Sequence, residues 1–166
     1  GNASVRLSWT APVNNGGVAI TGYRIESSTA STGIWSTAVA NTSSIATSET
    51  ITSLVNGTTY KFRVSAINAA GVSVASGEVN ALPIGAPATP AAPTAGVGSG
   101  QIFLSWSAPA NNGSPITDYE IQYTTSSSGP WTTFSESVTS VTATSITGLT
   151  NGTSYYFQIR AINAAG

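Results

Sequence analysis

Hydrophobic and polar positions alternate with a period of two along most of the chain. Val5, Leu7 and Trp9 alternate with Arg6 and Ser8, and Ile102, Leu104 and Trp106 repeat that pattern. Tyr23 and Ile25 alternate with Arg24 and Glu26, as Tyr119, Ile121 and Tyr123 do with Glu120 and Gln122. The most regular run is Tyr60, Phe62, Val64 and Ala66, matched by Tyr155, Phe157, Ile159 and Ala161. Residues two apart share a face of a strand, so each run predicts a strand with one side in a core. No segment carries a capped 3.6-residue period. Turn signals separate the runs: Asn14-Asn15-Gly16-Gly17, Asn111-Asn112-Gly113, and the Asn-Gly steps at 56 and 151. Short alternating strands with turns at this spacing predict an all-β sandwich.

The whole pattern occurs twice. Trp9 falls on Trp106, an offset of 97, and Leu54 on Leu149, an offset of 95. Asn56-Gly57-Thr58-Thr59-Tyr60 falls on Asn151-Gly152-Thr153-Ser154-Tyr155, and the hexapeptide 66–71 is identical to 161–166. A period this long exceeds that of solenoid repeats, so each unit is expected to hold its own core.

Composition narrows the function. Charged residues are 7% of the chain, against roughly 25% in a typical globular protein. Serine and threonine take their place. The net charge of −1 supplies no field to draw nucleic acid or an anionic membrane, and no apolar run is long enough for membrane insertion as a helix. Cysteine and histidine are both absent, which removes disulfides, thiolate or imidazole metal sites, and Ser-His or Cys-His catalysis.

Trp in the second strand, then Ala-Pro, an Asn/Gly-rich loop and Ile-Thr-x-Tyr, together with Leu-x-Asn-Gly-Thr-x-Tyr and Ala-x-Asn-x-x-Gly, resembles the fibronectin type III family. Leu54 and Leu149 match the family's leucine before the sixth strand, and Tyr60 and Tyr155 its tyrosine-corner position. The Asn-Asn-Gly loops and low charge look more like bacterial members. The resemblance implies two tandem antiparallel sandwiches with sheets A-B-E and C′-C-F-G. The first is expected to lack strand A and the second strand G. Strand G of the first is expected over 72–82, and strand A of the second around 93–97. The expected units are 1–83 and 93–166, with a semi-rigid, proline-rich linker over 84–92. The unpaired edges of such units invite strand addition from another copy. Their common cut point in the period favours an excerpt from a longer array.

Candidate chemistry is sparse. Asp118 and Glu120 share a strand face but lack the cleft that would separate their pKa values, so they read as solvated carboxylates. Glu26 is expected to meet Lys61 or Arg63 across neighbouring strands, and Glu120 to meet Arg160. Glu49, two before the inward Ile51, is expected at the sandwich rim with its carboxylate in water. Six acidic residues are too scattered for calcium, and no cofactor site is expected. Trp35 and Trp131, in matched positions, suit either sheet-edge cover or sugar stacking, the first being favoured. Phe103 and Tyr156 alternate outward in the second unit alone, and Tyr156, with Trp131 and Phe134 near it, is the better candidate for a partner or carbohydrate contact. Asn2, Asn41, Asn56, Asn112 and Asn151 each begin a glycosylation triplet.

The expected role is a non-catalytic spacer in an extracellular or cell-surface stalk, adhesin or filament. Its partners would be neighbouring repeats, copies of itself or glycans. The competing expectation is an accessory region of a secreted polysaccharide-degrading enzyme.

Overall fold

The computed structural model describes residues 1–166, which form two compact units, Gly1–Ile84 and Gly85–Gly166. In the first, β1 (Val5–Ser8) pairs with β4 (Ser48–Ile51). The facing sheet is centred on β2 (Ile20–Thr29) and β5 (Tyr60–Asn68), with β3 (Ser36–Val39) on one edge and two short strands, β6 (Gly71–Val72) and β7 (Val79–Ala81), on the other. In the second unit β9 (Gln101–Ser105) lies between β8 (Thr94–Gly98) and β12 (Ala143–Thr147), and β10 (Asp118–Thr124) between β11 (Thr132–Phe134) and β13 (Tyr156–Ile162). Every pairing is antiparallel.

The inward positions of the alternating runs make the two cores. Val5, Leu7, Ile25, Ile51 and Phe62 meet in the first, and Leu104, Trp106, Tyr119, Ile121, Ile146 and Ile159 in the second. Ile25 and Phe62 have no exposed surface, and each contributes about 1.5–3 kcal/mol by leaving water. Trp9 meets Tyr23 edge to face at 5.0 Å, and Trp106 meets Tyr119 at 5.2 Å. The Tyr60 and Tyr155 hydroxyls accept the Val55 and Thr150 N–H groups, both at 3.1 Å, which closes a corner in each unit. Below each corner an asparagine holds the backbone just ahead of β1 or β9. Asn56 Oδ1 accepts Ala3 N–H and Asn151 Oδ1 accepts Gly100 N–H, both at 2.8 Å. Glu49 stands opposite the inward Leu7, half-buried, with Oε1 accepting the Thr50 N–H.

Two stretches differ from expectation. The strand expected over 72–82 is broken in the middle. Ser73 and Ser76 point their hydroxyls at β5 and accept the Ala66 and Val64 N–H groups at 2.9 and 3.0 Å, in place of main-chain carbonyls. Val74 between them is turned out to solvent. The linker expected over 84–92 is largely anchored along its first half. Pro83 C=O accepts Gly57 N–H, while Gly85 N–H donates to Asn112 C=O and Ala88 N–H to Ala110 C=O. Ile84 is the one residue between the anchored Pro83 and the anchored Gly85. Proline spacing carries no information on which loop satisfies this segment's polar groups.

Candidate functional site

The outward faces of β2–β5 and β10–β13 carry most of the charge. Glu26 lies opposite Arg63 and two residues from Arg24 on the same face. Arg63 Nε donates to its Oε2 at 2.8 Å and Arg24 Nη2 to Oε1 at 2.9 Å. The Arg63 hydrogen bond holds the Glu26 carboxyl below its usual pKa; desolvation opposes this, and the charges of Arg24 and Arg63 add to the lowering. Lys61 turns instead to Glu78, at 3.1 Å. Glu26 therefore meets Arg63, one of its two expected partners.

In the second unit Glu120 lies opposite Arg160, which grips its Oε2 through both Nε and Nη2. Gln122 Nε2 donates to Glu120 Oε1 at 2.7 Å, and Gln158 Nε2 to Gln122 Oε1 at 2.6 Å. The Asp118 carboxylate accepts the Thr139 N–H at 3.0 Å. Both carboxylates of the i, i+2 pair thus have structural partners. A third acid, Glu136, was not singled out by sequence reasoning. Its Oε1 is buried without a partner; burial pushes its pKa up, the Thr144 hydroxyl pulls it back, and the Asp118 charge adds to the rise. No alternation marks it, because it lies in the irregular stretch between β11 and β12.

The aromatic candidates do not converge. The Arg63 guanidinium lies 4.2 Å from the Trp35 ring centroid, so one face of that indole is covered by a cation–π contact. The counterpart of Arg63 is Gln158, and Trp131 has its Cδ1 edge against Gly129, where a Cβ would stand 3.2 Å away. Phe134 pairs with the inward Ile121 and packs on the core. Tyr156 points to the opposite side, 48% exposed, beside Thr124. Phe103 is also exposed but belongs to the other sheet. Of the four aromatic contact candidates, Tyr156 is exposed, Trp35 and Trp131 are both half-buried, with Arg63 over one face of Trp35, and Phe134 packs on the core.

Three glycosylation triplets begin with side chains that already donate. Asn56 Nδ2 bonds Asn2 Oδ1 at 2.7 Å, Asn112 Nδ2 bonds Ala86 C=O at 2.7 Å, and Asn151 Nδ2 reaches Ser99 Oγ at 3.5 Å. Asn2 and Asn41 are exposed and use only their oxygens, Asn2 toward Asn56 and Asn41 toward Ser43 N–H at 2.8 Å.

The sequence profile of the fibronectin type III domain matches residues 1–81 and again 86–166. The chain belongs to the fibronectin type III family. Over 98% of its length it is 28% identical to myomesin-2 of Homo sapiens, 37% to chitinase A1 of Niallia circulans and 32% to M-protein, striated muscle, of Gallus gallus. It spans 12%, 22% and 12% of the lengths of those proteins. Among solved structures, the chicken CNTN1 FN1–FN3 domains align with 99% of this chain and 58% of that one, at a TM-score of 0.50 and 20% identity, a likeness of fold alone. The tyrosine corners and the two-sheet layering, B-E against C′-C-F-G in the first unit and A-B-E against C′-C-F in the second, are thus those of two fibronectin type III domains in tandem.

Proposed function

We propose that this pair of fibronectin type III domains is a non-catalytic spacing segment of an extracellular or cell-surface repeat protein, with neighbouring repeats as its first partners. The observation that carries this is the internal pairing of the sheet charges. Glu26, Glu78 and Glu120 each hold an arginine or lysine of their own unit, and Asp118 holds a backbone N–H. Such pairs contribute little stability, but they leave no concentrated charge or reactive constellation on the surface. A surface of hydroxyls and neutralised charge lets many copies stand side by side without repulsion. The test is a screen of the purified chain for hydrolysis of polysaccharides, peptides and esters and for retention on immobilised polysaccharides. The spacing role predicts neither. Turnover that survives repurification would overturn it.

A second reading, an accessory region of a polysaccharide-degrading enzyme, rests on Trp131 and Tyr156 and on the likeness to chitinase A1. Retention on chitin or cellulose that is lost in both Trp131→Ala and Tyr156→Ala, but kept in Trp35→Ala, would favour it over the spacer.

A further inference from the structure

The two domains present different outer faces on the same sheet. Arg6 and Phe103 occupy one position of the repeat, each between two core residues: Val5 and Leu7 in the first domain, Ile102 and Leu104 in the second. Arg6 puts a charge on the face and reaches Ser48 Oγ at 3.4 Å. Phe103 puts a ring there, 51% exposed, on the central strand of the β12-β9-β8 sheet. No residue of those three strands is charged. Across the sheet Phe103 is flanked by Gly96 on β8 and Ser145 on β12. A Cβ on Gly96 would find only the Cβ and C=O of Phe103, at 3.8 and 3.9 Å, so the ground above Gly96 is open. One row away the equivalent ground is filled. There the Gln101 side chain lies across Gly98, with Cγ 2.8 Å from where a Cβ would stand. An exposed apolar knob thus stands beside an unfilled hollow, on a face without charge.

We infer that this face docks on the same face of a second copy of the chain, with Phe103 of each entering the hollow over Gly96 of the other. Gly96 and Phe103 are register partners. A two-fold axis running along the strands, midway between β8 and β9, therefore sets each ring over the other copy's glycine. The two sheets then stack face to face with their strands nearly aligned, one of the two ways in which sheets pack. That axis also leaves both molecules pointing in the same direction, as copies rooted in one surface must. In the first domain the same packing would bring Arg6 against its own copy, and like charges forced together oppose it. Two five-residue strands present a footprint of roughly 10 by 16 Å. A standard interface buries roughly 800 Å² on each partner, so a single contact is weak, with a Kd on the order of 1 mM. Tethering supplies the concentration that free copies lack. The inference rests on the repeat-protein reading for that tethering. The contact itself is measured on the free chain, so it can fail while the hydrolysis screen still supports a spacer, and the reverse.

The test is amide NMR of the full chain from about 0.05 to about 2 mM, a range that brackets such a Kd. The inference expects Thr94, Gly96, Phe103 and Ser105 to shift together with concentration. It also expects a contact between the Phe103 ring and Gly96 Hα of different copies, seen as an intermolecular NOE in a mixture of labelled and unlabelled chain. Both should vanish in Phe103→Arg, which installs the first domain's own residue, and in Gly96→Thr, which fills the hollow. Gly96 lies in a strand and outside the left-handed region, so its backbone accepts a β-branched residue. Unchanged shifts of the buried Leu104 and Ile121 in both variants will show that the fold is kept. Shifts that stay constant to the highest concentration, or that persist in both variants, would overturn the inference. So would Phe103 shifts that appear only when cellohexaose or chitohexaose is added at constant protein concentration, which would assign the face to a neutral glycan.

Discussion

Asn163→Ala should be among the most damaging single polar substitutions in the second domain, and Asn68→Ala should be several-fold milder in the first. Asn163 supplies three donor contacts and accepts Ala165 N–H at 2.8 Å. Its contacts with Gly85 and Ser114 are buried. Truncation orphans those carbonyls, and an unsatisfied buried polar group costs about 1–3 kcal/mol. Two of them, partly relieved by local shifts, give roughly 2–4 kcal/mol. For a domain of this size that lowers the melting temperature by roughly 10–30 °C. The carbonyls held by Asn68 are at the surface, so water replaces the lost amide and the cost stays near 1 kcal/mol. Asn163→Asp should be at least as harmful as the alanine, because it faces three carbonyls with a carboxylate. Differential scanning calorimetry of the full chain reads both domains once the transitions are assigned by tryptophan substitution. Equal shifts for Asn68→Ala and Asn163→Ala, or an aspartate variant that melts with the parent, would refute the argument.

Other substitutions test other links. Ala3 sits in the left-handed region at φ 48°, where its counterpart is Gly100 at 65°. Ala3→Gly should stabilise the first domain by about 0.5–1 kcal/mol, since relief of roughly 1–2 kcal/mol of backbone strain exceeds the glycine entropy term; an unchanged or lowered urea midpoint would count against it. Tyr60→Phe and Tyr155→Phe should each cost about 1 kcal/mol by freeing a loop N–H, read as a drop in denaturation midpoint without a change in slope. Two carboxyls, one in each domain, should contribute to the acid response in opposite senses. Because the folded pKa of Glu26 is lowered, its contribution is present above the unfolded value and is lost as pH falls through the folded one; Glu26→Gln should flatten that loss. Because that of Glu136 is raised, its contribution is present at low pH and is lost as pH rises through the folded value. Glu136→Gln should therefore stabilise the second domain at neutral pH and not in acid, which melting curves across pH will show.

How much of this was legible in the sequence depended on whether a residue's partner is local. The period-two runs placed the cores of both domains, because inward and outward alternate along one strand whatever lies across from it. The pairing of Glu120 with Arg160 followed once their strands were taken as neighbours. Ser73, Ser76 and Asn163 were not legible, since a hydroxyl or amide standing in for main-chain groups leaves no mark in hydropathy. The repeated hexapeptide was the one available signal for Asn163. It pointed to the residue without pointing to Gly85, 78 positions away.

The same limit explains why Trp35 and Trp131, matched in sequence, end differently. Each tryptophan's surroundings are set by the neighbouring strands, where the first domain has Arg63 and the second Gln158. Arginine places a cation over the Trp35 face, whereas glutamine carries no charge and donates to Gln122. Repetition identifies what both domains need in order to fold, since it retains the corner tyrosines, the turn asparagines and the core. Positions where the repeats disagree on a shared scaffold are free of that demand, and recognition is to be sought there. Lys61 against Tyr156, Arg63 against Gln158 and Gly16 against Asn112 are such positions. The first includes the exposed Tyr156, the second lies two residues along the same strand, and the third borders a cleft beside Asn68. Exchanging the first pair between the domains should therefore move any carbohydrate or peptide contact with it while leaving both melting temperatures nearly unchanged.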